Sequence, residues 1–469
     1  MRFIIPLILV TFLLSGSAVA QPPTAPPQKE DKAVLLARKI AEEVATFRQL
    51  EWKKKVDISA YSMKQLKAFV LKSMDEELPD ALADSSTRAL RALRAVPDDW
   101  ELKSGLTALL VEQIGGFYDP DAKQLRVIER TQPAGKKDGK PGLLESLGMT
   151  GESMDRIVMA HELVHALQDQ HFGLDRYPLD TKNDDDLVTA ISSVVEGDAT
   201  LSMMATMTPG ATAKMIFERG KQISAMMRLM GGFGGMGLGG AMKEFEKAPK
   251  MIQEQLMFPY MGGLRFCLAA GADGKAYKGV DACLMKPPLS TEQVLHPEKL
   301  LSEEPDWPQV LTLPNLSAHL GPGSKALGDN TLGELYTKLV LQNGVKKRIA
   351  RKAAEGWDGD RYVLYARPDA PDALVWLSTW DSVDEATQFQ DALVAWARAA
   401  KDAPAPESND WTPLLLAFED GTVSVVGRRG PDVAWLHRVP KSSAPTILRA
   451  LFEETKRAER RTLPARKRK

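Results

Sequence analysis

Ala160-His161-Glu162-Leu163-Val164-His165-Ala166-Leu167-Gln168 is the stretch on which the reading of this chain turns. Residues four apart on an α-helix share a face, so His161 and His165 can offer two imidazole nitrogens to one divalent ion. Glu162 then stands beside the open side of that ion, within reach of a bound water. The chemistry needs this trio: zinc brings the pKa of its water down to about 7, and a nearby carboxylate takes the proton as a carbonyl is attacked. The bland reading is two ordinary helix histidines beside a surface Glu. Context weighs against it. Gly151 to Gly173 has no proline, Thr150 or Ser153 can cap its start, and Gly173 can end it. Ile157, Ala160, Val164 and Leu167 make an apolar stripe, which predicts a helix packed by one face.

A catalytic zinc takes three protein ligands, so a third donor is needed. His171 completes a His-Glu-x-x-His-x-x-Gly-x-x-His spacing, except that Gln168 stands at the Gly position and resists the sharp left-handed turn. On an unbroken helix His171 lies about 9 Å along the axis from His165. Glu196 is the other candidate, in Val194-Val195-Glu196-Gly197-Asp198-Ala199-Thr200. The run Leu187, Ile191, Val194, Val195 predicts a second helix whose other side carries only small polar groups and Glu196.

His-Glu-Leu-Val-His followed by Glu196-Gly197-Asp198-Ala199 resembles the gluzincin zinc peptidases. That resemblance implies His161, His165 and Glu196 as the metal ligands and Glu162 as the general base. Thermolysin-like members carry Asp four residues after the ligand Glu; this chain has Thr200 there, which leaves that supporting role unassigned. Gly116-Phe117-Tyr118-Asp119-Pro120, Phe258-Pro259-Tyr260 and Ser290 to Pro297 resemble a group of uncharacterised secreted bacterial proteins with the same motif. That likeness implies no particular substrate.

From its start, the chain shows Met1 to Ala20 with one Arg, an apolar core from Phe3 to Leu14, and Ala18-Val19-Ala20 before Gln21. This reads as a signal peptide cleaved after Ala20, which predicts a secreted or periplasmic protein. No other apolar run is long enough to span a bilayer. Residues 21–30 form a Pro-rich leader. Cys267 and Cys283 are the only cysteines, and in an oxidising compartment a bridge between them would stabilise by about 3 kcal/mol; two reduced, buried thiols are the alternative. The composition is 44% hydrophobic and 26% charged with a formal net charge of −1, which gives no reason to expect nucleic acid.

Phe117-Tyr118 and Gln124 to Ile128 read as strands around Asp119-Pro120-Asp121, and an edge strand just before a zinc-binding helix can align an extended peptide. Asn183-Asp184-Asp185-Asp186 lacks calcium-loop spacing and reads as acids opening a helix. The Met/Gly-rich segment 226–242 reads as a flap over a cleft or a disordered insertion; its formal dinucleotide fingerprint is rejected because no strand precedes it. A donor for the tetrahedral oxyanion is also expected, and His296 and Tyr260 are candidates. From Asn330 the pattern changes to one helix over 332–355, alternating strands, a helix over 383–400 and a closing helix over 444–456.

The expected fold is therefore α+β: a largely helical zincin-like metallopeptidase domain over 31–328 with a small sheet, a smaller α+β domain over 329–457 with helices on one face of an antiparallel sheet, and a solvated basic tail over 458–469. The expected function is a secreted Zn²⁺-dependent peptidase acting on peptide or protein. Two readings compete: a non-catalytic binding or envelope-scaffold protein of the same fold, and a hydrolase of a non-peptide amide. A closed site with Asp169 or His171 as a fourth ligand would favour the scaffold.

Overall fold

The computed structural model describes residues 32–113, 116–120, 122–128, 151–206, 210, 212–229, 243–407 and 412–465. The signal segment, the leader, the loop 131–142 and residues 230–242 of the Met/Gly-rich segment lie outside them. The chain is α+β. Its first part is mostly helical. α1 (Lys32–Arg48) leads to β1 (Asp57–Tyr61), then α2 (Met63–Glu77), α3 (Asp80–Ala92) and α4 (Leu102–Gln113). β2 (Gly116–Asp119) and β3 (Gln124–Ile128) precede α5 (Gly151–Phe172), which carries the His-Glu-x-x-His motif, and α6 (Asp185–Thr206), which carries Glu196. After three short helices come α7 (Lys250–Ala270), α8 (Tyr277–Met285) and the single turn α9 (Thr291–Leu295). β1 pairs parallel with β3 and β2 antiparallel with it, so β2 is an outer strand of that sheet among the described residues.

The second part is built on a six-stranded antiparallel sheet. Its elements are β4 (Gln309–Thr312), β5 (Lys325–Asn330), α10 (Gly333–Leu341), α11 (Lys347–Ala354), β6 (Trp357–Arg367), β7 (Ala370–Trp380) and α12 (Val383–Arg398). β8 (Leu414–Ala417), β9 (Thr422–Arg429), β10 (Asp432–Pro440), α13 (Ala444–Glu454) and β11 (Lys456–Glu459) complete it. The strand order is β5-β6-β7-β10-β9-β8, while β11 pairs with β4 alone.

Several expectations are corrected. The helix expected over 332–355 is two, because the chain turns through Asn343-Gly344 between α10 and α11. Helices cover both faces of the sheet rather than one. Phe389 and Trp396 of α12 pack with Leu374, Trp376 and Trp435 on one face, and Ile447 and Leu451 of α13 pack with Val375, Leu377 and Leu436 on the other. Ala373 to Trp380 is accordingly buried at every position, the pattern of a strand covered on both sides. Arg460, expected in a solvated tail, donates to Asp184 and extends the β11 strip by bonding the Pro308 carbonyl. Cys267 and Cys283 are both buried and not bridged; the Cys267 thiol lies 3.7 Å from the Val194 carbonyl, so it packs as a small apolar group against α6. Among the described residues no helix is long and apolar enough to cross a membrane.

Two features position the site. α5 is enclosed rather than packed by one face, since every residue from Met159 to Asp169 is buried between α1, the small sheet and α6. α6 and α7 cross in near backbone contact: a Cβ on Gly263 would stand 1.9 Å from the Ser193 carbonyl oxygen, and one on Gly197 would stand 2.2 Å from the Gly263 backbone. Only glycines allow that approach, and Gly197 directly follows Glu196.

Candidate metal centre

The one-turn spacing on α5 sets the rings of His161 and His165 4.7 Å apart, and α6 lays Glu196 against both. His161 Nε2 lies 3.0 Å from Glu196 Oε2 and 3.0 Å from His165 Nε2, and the third side of the triangle, His165 Nε2 to Glu196 Oε2, is 3.5 Å. All three residues are buried. A triangle of that size has corners about 1.8 Å from its centre, so one point just off its plane stands about 2.0–2.1 Å from all three, the length of zinc–nitrogen and zinc–oxygen bonds. The donor set therefore fits Zn²⁺. Among the described residues it is the only such group that contains histidine.

Proton positions point the same way. Gln168 donates its amide N–H groups to the Val195 carbonyl at 2.9 Å and to Asp198 at 2.8 Å, so its oxygen is left to accept from His165 Nδ1 at 2.8 Å. With its proton on Nδ1, a neutral His165 presents the lone pair of Nε2 to the centre. Burial pushes His161 below the usual histidine range against the pull of Glu196. Burial would raise Glu196, but the neighbouring histidines outweigh it and hold the carboxyl down at about 2. Two imidazole nitrogens and a carboxylate thus converge with few protons to share, which is a shell for a cation. Behind Gln168, Asp198 is held by Arg48, a fully buried side chain on α1, at 2.8 Å. Arg48 also pairs with Asp281 and lies 4.2 Å over the Tyr277 ring. The support that Thr200 cannot give is thus supplied by Gln168 and Asp198.

Glu162 is wholly buried. Its Oε2 accepts the Tyr118 backbone N–H of β2 at 2.7 Å, while Oε1 has no partner among the described residues. Burial, opposed by that hydrogen bond and reinforced by the Glu196 charge, pushes its pKa well above the carboxylate range. A raised pKa and a spare oxygen suit a group that takes up and releases one proton.

Tyr260 of α7 places its ring 6.0 Å from that of His161. Burial, with Glu196 and Glu162 nearby, raises its pKa well above the usual phenol value, so it stays protonated and able to donate. His296 is elsewhere. Its Nε2 lies 3.1 Å from Glu334, and the helix it ends is bonded to Asp186 through Thr291, ten residues or about 15 Å along α6 from Glu196. The structure thus brings Tyr260, and not His296, to the imidazoles. His171 turns to the Glu51 carbonyl at 2.8 Å. Asp169 is committed to the Tyr118 hydroxyl at 2.8 Å, the Lys123 ammonium and the Leu174 N–H. Neither supplies a fourth donor. Arg48, Gln168 and Asp198 escaped the sequence reading; Gln168, three residues after His165, was on the right helix face to be found.

Residues 322–448 match a family model described as "Domain of unknown function (DUF8575)". That span covers all six strands of the larger sheet with α10, α11, α12 and the start of α13, and holds none of the residues of the metal centre. No curated protein and no solved structure matches the chain.

Proposed function

We propose that this chain is a zinc-dependent hydrolase, most directly a peptidase of the gluzincin kind, with His161, His165 and Glu196 holding the metal and Glu162 as general base. The observation that carries the proposal is the three-donor triangle with no fourth protein ligand among the described residues and an unpartnered oxygen of Glu162 beside it. Bound zinc supplies Lewis acidity there, lowering the pKa of water and polarising a carbonyl. Glu162 takes the proton of the attacking water on Oε1 and returns it to the leaving amine. Tyr260, kept protonated by burial, donates to the oxyanion. The enclosed site keeps bulk water from competing. That β2 ends its sheet beside the base favours an extended peptide, whose backbone can pair along such an edge, over another amide. The zincin-like architecture and the export of the chain after cleavage at Ala20 belong to the same proposal.

Metal analysis and a peptide-library digest, run on the wild type and Glu162→Gln side by side, test this. Both proteins should hold one zinc, and the variant should lose activity by about 10²–10⁴-fold. Undiminished cleavage by Glu162→Gln would remove the base from the mechanism, and zinc without cleavage of any peptide would favour the scaffold reading.

A further inference from the structure

A cleft of about 780 Å³ lies where the turn after α3 meets the end of α12 and the strands β8 to β10. That volume suits an organic ligand. None of its lining residues belongs to the metal centre, so its chemistry is independent of whether zinc is bound.

Arg94 sets the chemistry of the cleft. It follows α3 with φ at 52°, in a helix-closing motif where Ala95 N bonds the Leu90 carbonyl. Glycine is the usual occupant, because a side chain there carries a backbone penalty. The Arg94 guanidinium lies 3.7 Å over the Trp396 ring and donates to the Trp396 carbonyl, but no carboxylate of the described residues forms a salt bridge with it. Asp402, the acid whose charge reaches it, pairs with Arg438 at 3.6 Å and is largely exposed. Burial lowers the Arg94 pKa to about 10, as expected of a guanidinium short of counter-charge.

Other N–H groups of the lining are unpaired too, although Arg91 Nη2 pairs with Glu101 at 2.6 Å. Nε of Arg91, Nε of Arg94 and the indole Nε1 atoms of Trp396 and Trp435 are all buried, and none has an acceptor among the described residues. Every buried side-chain polar atom of this lining without a partner among the described residues is a donor, whereas native interiors leave few such groups unpaired. The charged lining residues are Arg91, Arg94, Lys250 and Lys401 against Asp98 and Asp402. Met251, Leu416 and Phe418 supply apolar wall.

We propose that this cleft binds a small organic acid, a carboxylate or phosphate group on an apolar body, with Arg94 meeting the anion. The ligand oxygens accept from the Arg94 guanidinium, and the apolar body covers the Met251 and Phe418 side.

The test is calorimetric titration of the full-length protein with naphthalene-2-carboxylate, 2-naphthyl phosphate and neutral naphthalene-2-carboxamide. At least one acid should bind with a Kd below about 1 mM and at least about tenfold tighter than the amide. The stronger of the two acids identifies the anion. Arg94→Met, which keeps length without charge, should abolish the preference for acid and leave zinc content unchanged. Ala400→Phe, which fills the cleft while keeping Arg94, should weaken acid binding as well and serves alone if Arg94→Met does not fold. No binding by either acid up to about 10 mM, equal binding of acid and amide, or acid binding that survives both substitutions overturns the proposal.

Discussion

Gln168 serves three partners at once: its amide N–H groups satisfy Asp198 and the Val195 carbonyl, and its oxygen fixes the proton of His165 on Nδ1. An amide does this without the negative charge that a carboxylate would add, and it enforces the orientation of the ring. Gln168→Leu should free the imidazole to change tautomer and leave Asp198 short of a donor. Zinc affinity, read by competition with a chromogenic chelator, should fall about 10–100-fold. Unchanged affinity would mean that packing alone holds the ring.

At the scale of elements, the site depends on how α6 sits between α5 and α7. The crossing at Gly197 and Gly263 lets α6 lie close enough to α7 that Glu196 and Tyr260 both reach the α5 histidines. Gly263→Ala would drive a methyl group into the Ser193 carbonyl. It should cost about 1–3 kcal/mol in denaturant unfolding and weaken zinc binding as well, since α6 must move away. The start of α6 holds a different device. Asp186 accepts the Thr291 N–H at 2.8 Å, leaves Oδ2 buried without a partner among the described residues, and is pushed up to about 8 by burial, with Asp184 and Asp360 adding to the effect. An acid whose folded pKa exceeds its unfolded value binds its proton on folding. Its contribution is complete below about pH 4 and is lost as the pH rises toward 8. Asp186→Asn keeps an acceptor for Thr291 but cannot ionise. Between about pH 5 and pH 8 its unfolding free energy should decline less than that of the wild type, by on the order of 1–3 kcal/mol.

For the whole molecule, one apolar cluster runs from the helices around α6 through α10 to the Trp-rich face of the sheet, so the two parts share a core. The metal centre lies on the other side of α6, where α1, α5 and the small sheet form a cluster of their own. An ion held by the proposed ligands would tie α5 to α6 and so join those two clusters. Removing it with EDTA should lower the unfolding temperature, by on the order of 5 °C at a hundredfold excess of zinc over its Kd, and zinc but not calcium should restore it. A transition indifferent to chelation would count against a resident metal.

The His161, Glu162, His165 arrangement was legible in the sequence because it is local: one helical turn fixes which side chains share a face, whatever surrounds the helix. The same holds for the second helix with its lone acid, and for the change to alternating strands near the C-terminus. The resemblance already pointed to Glu196 rather than His171, but tertiary structure alone decided that Glu196 meets the imidazoles, that Tyr260 rather than His296 stands beside them, and that Gln168, Asp198 and Arg48 support them. Each of those outcomes joins groups on different helices. Their meeting depends on crossing geometry and on two backbones pressed together at paired glycines, which no local period encodes.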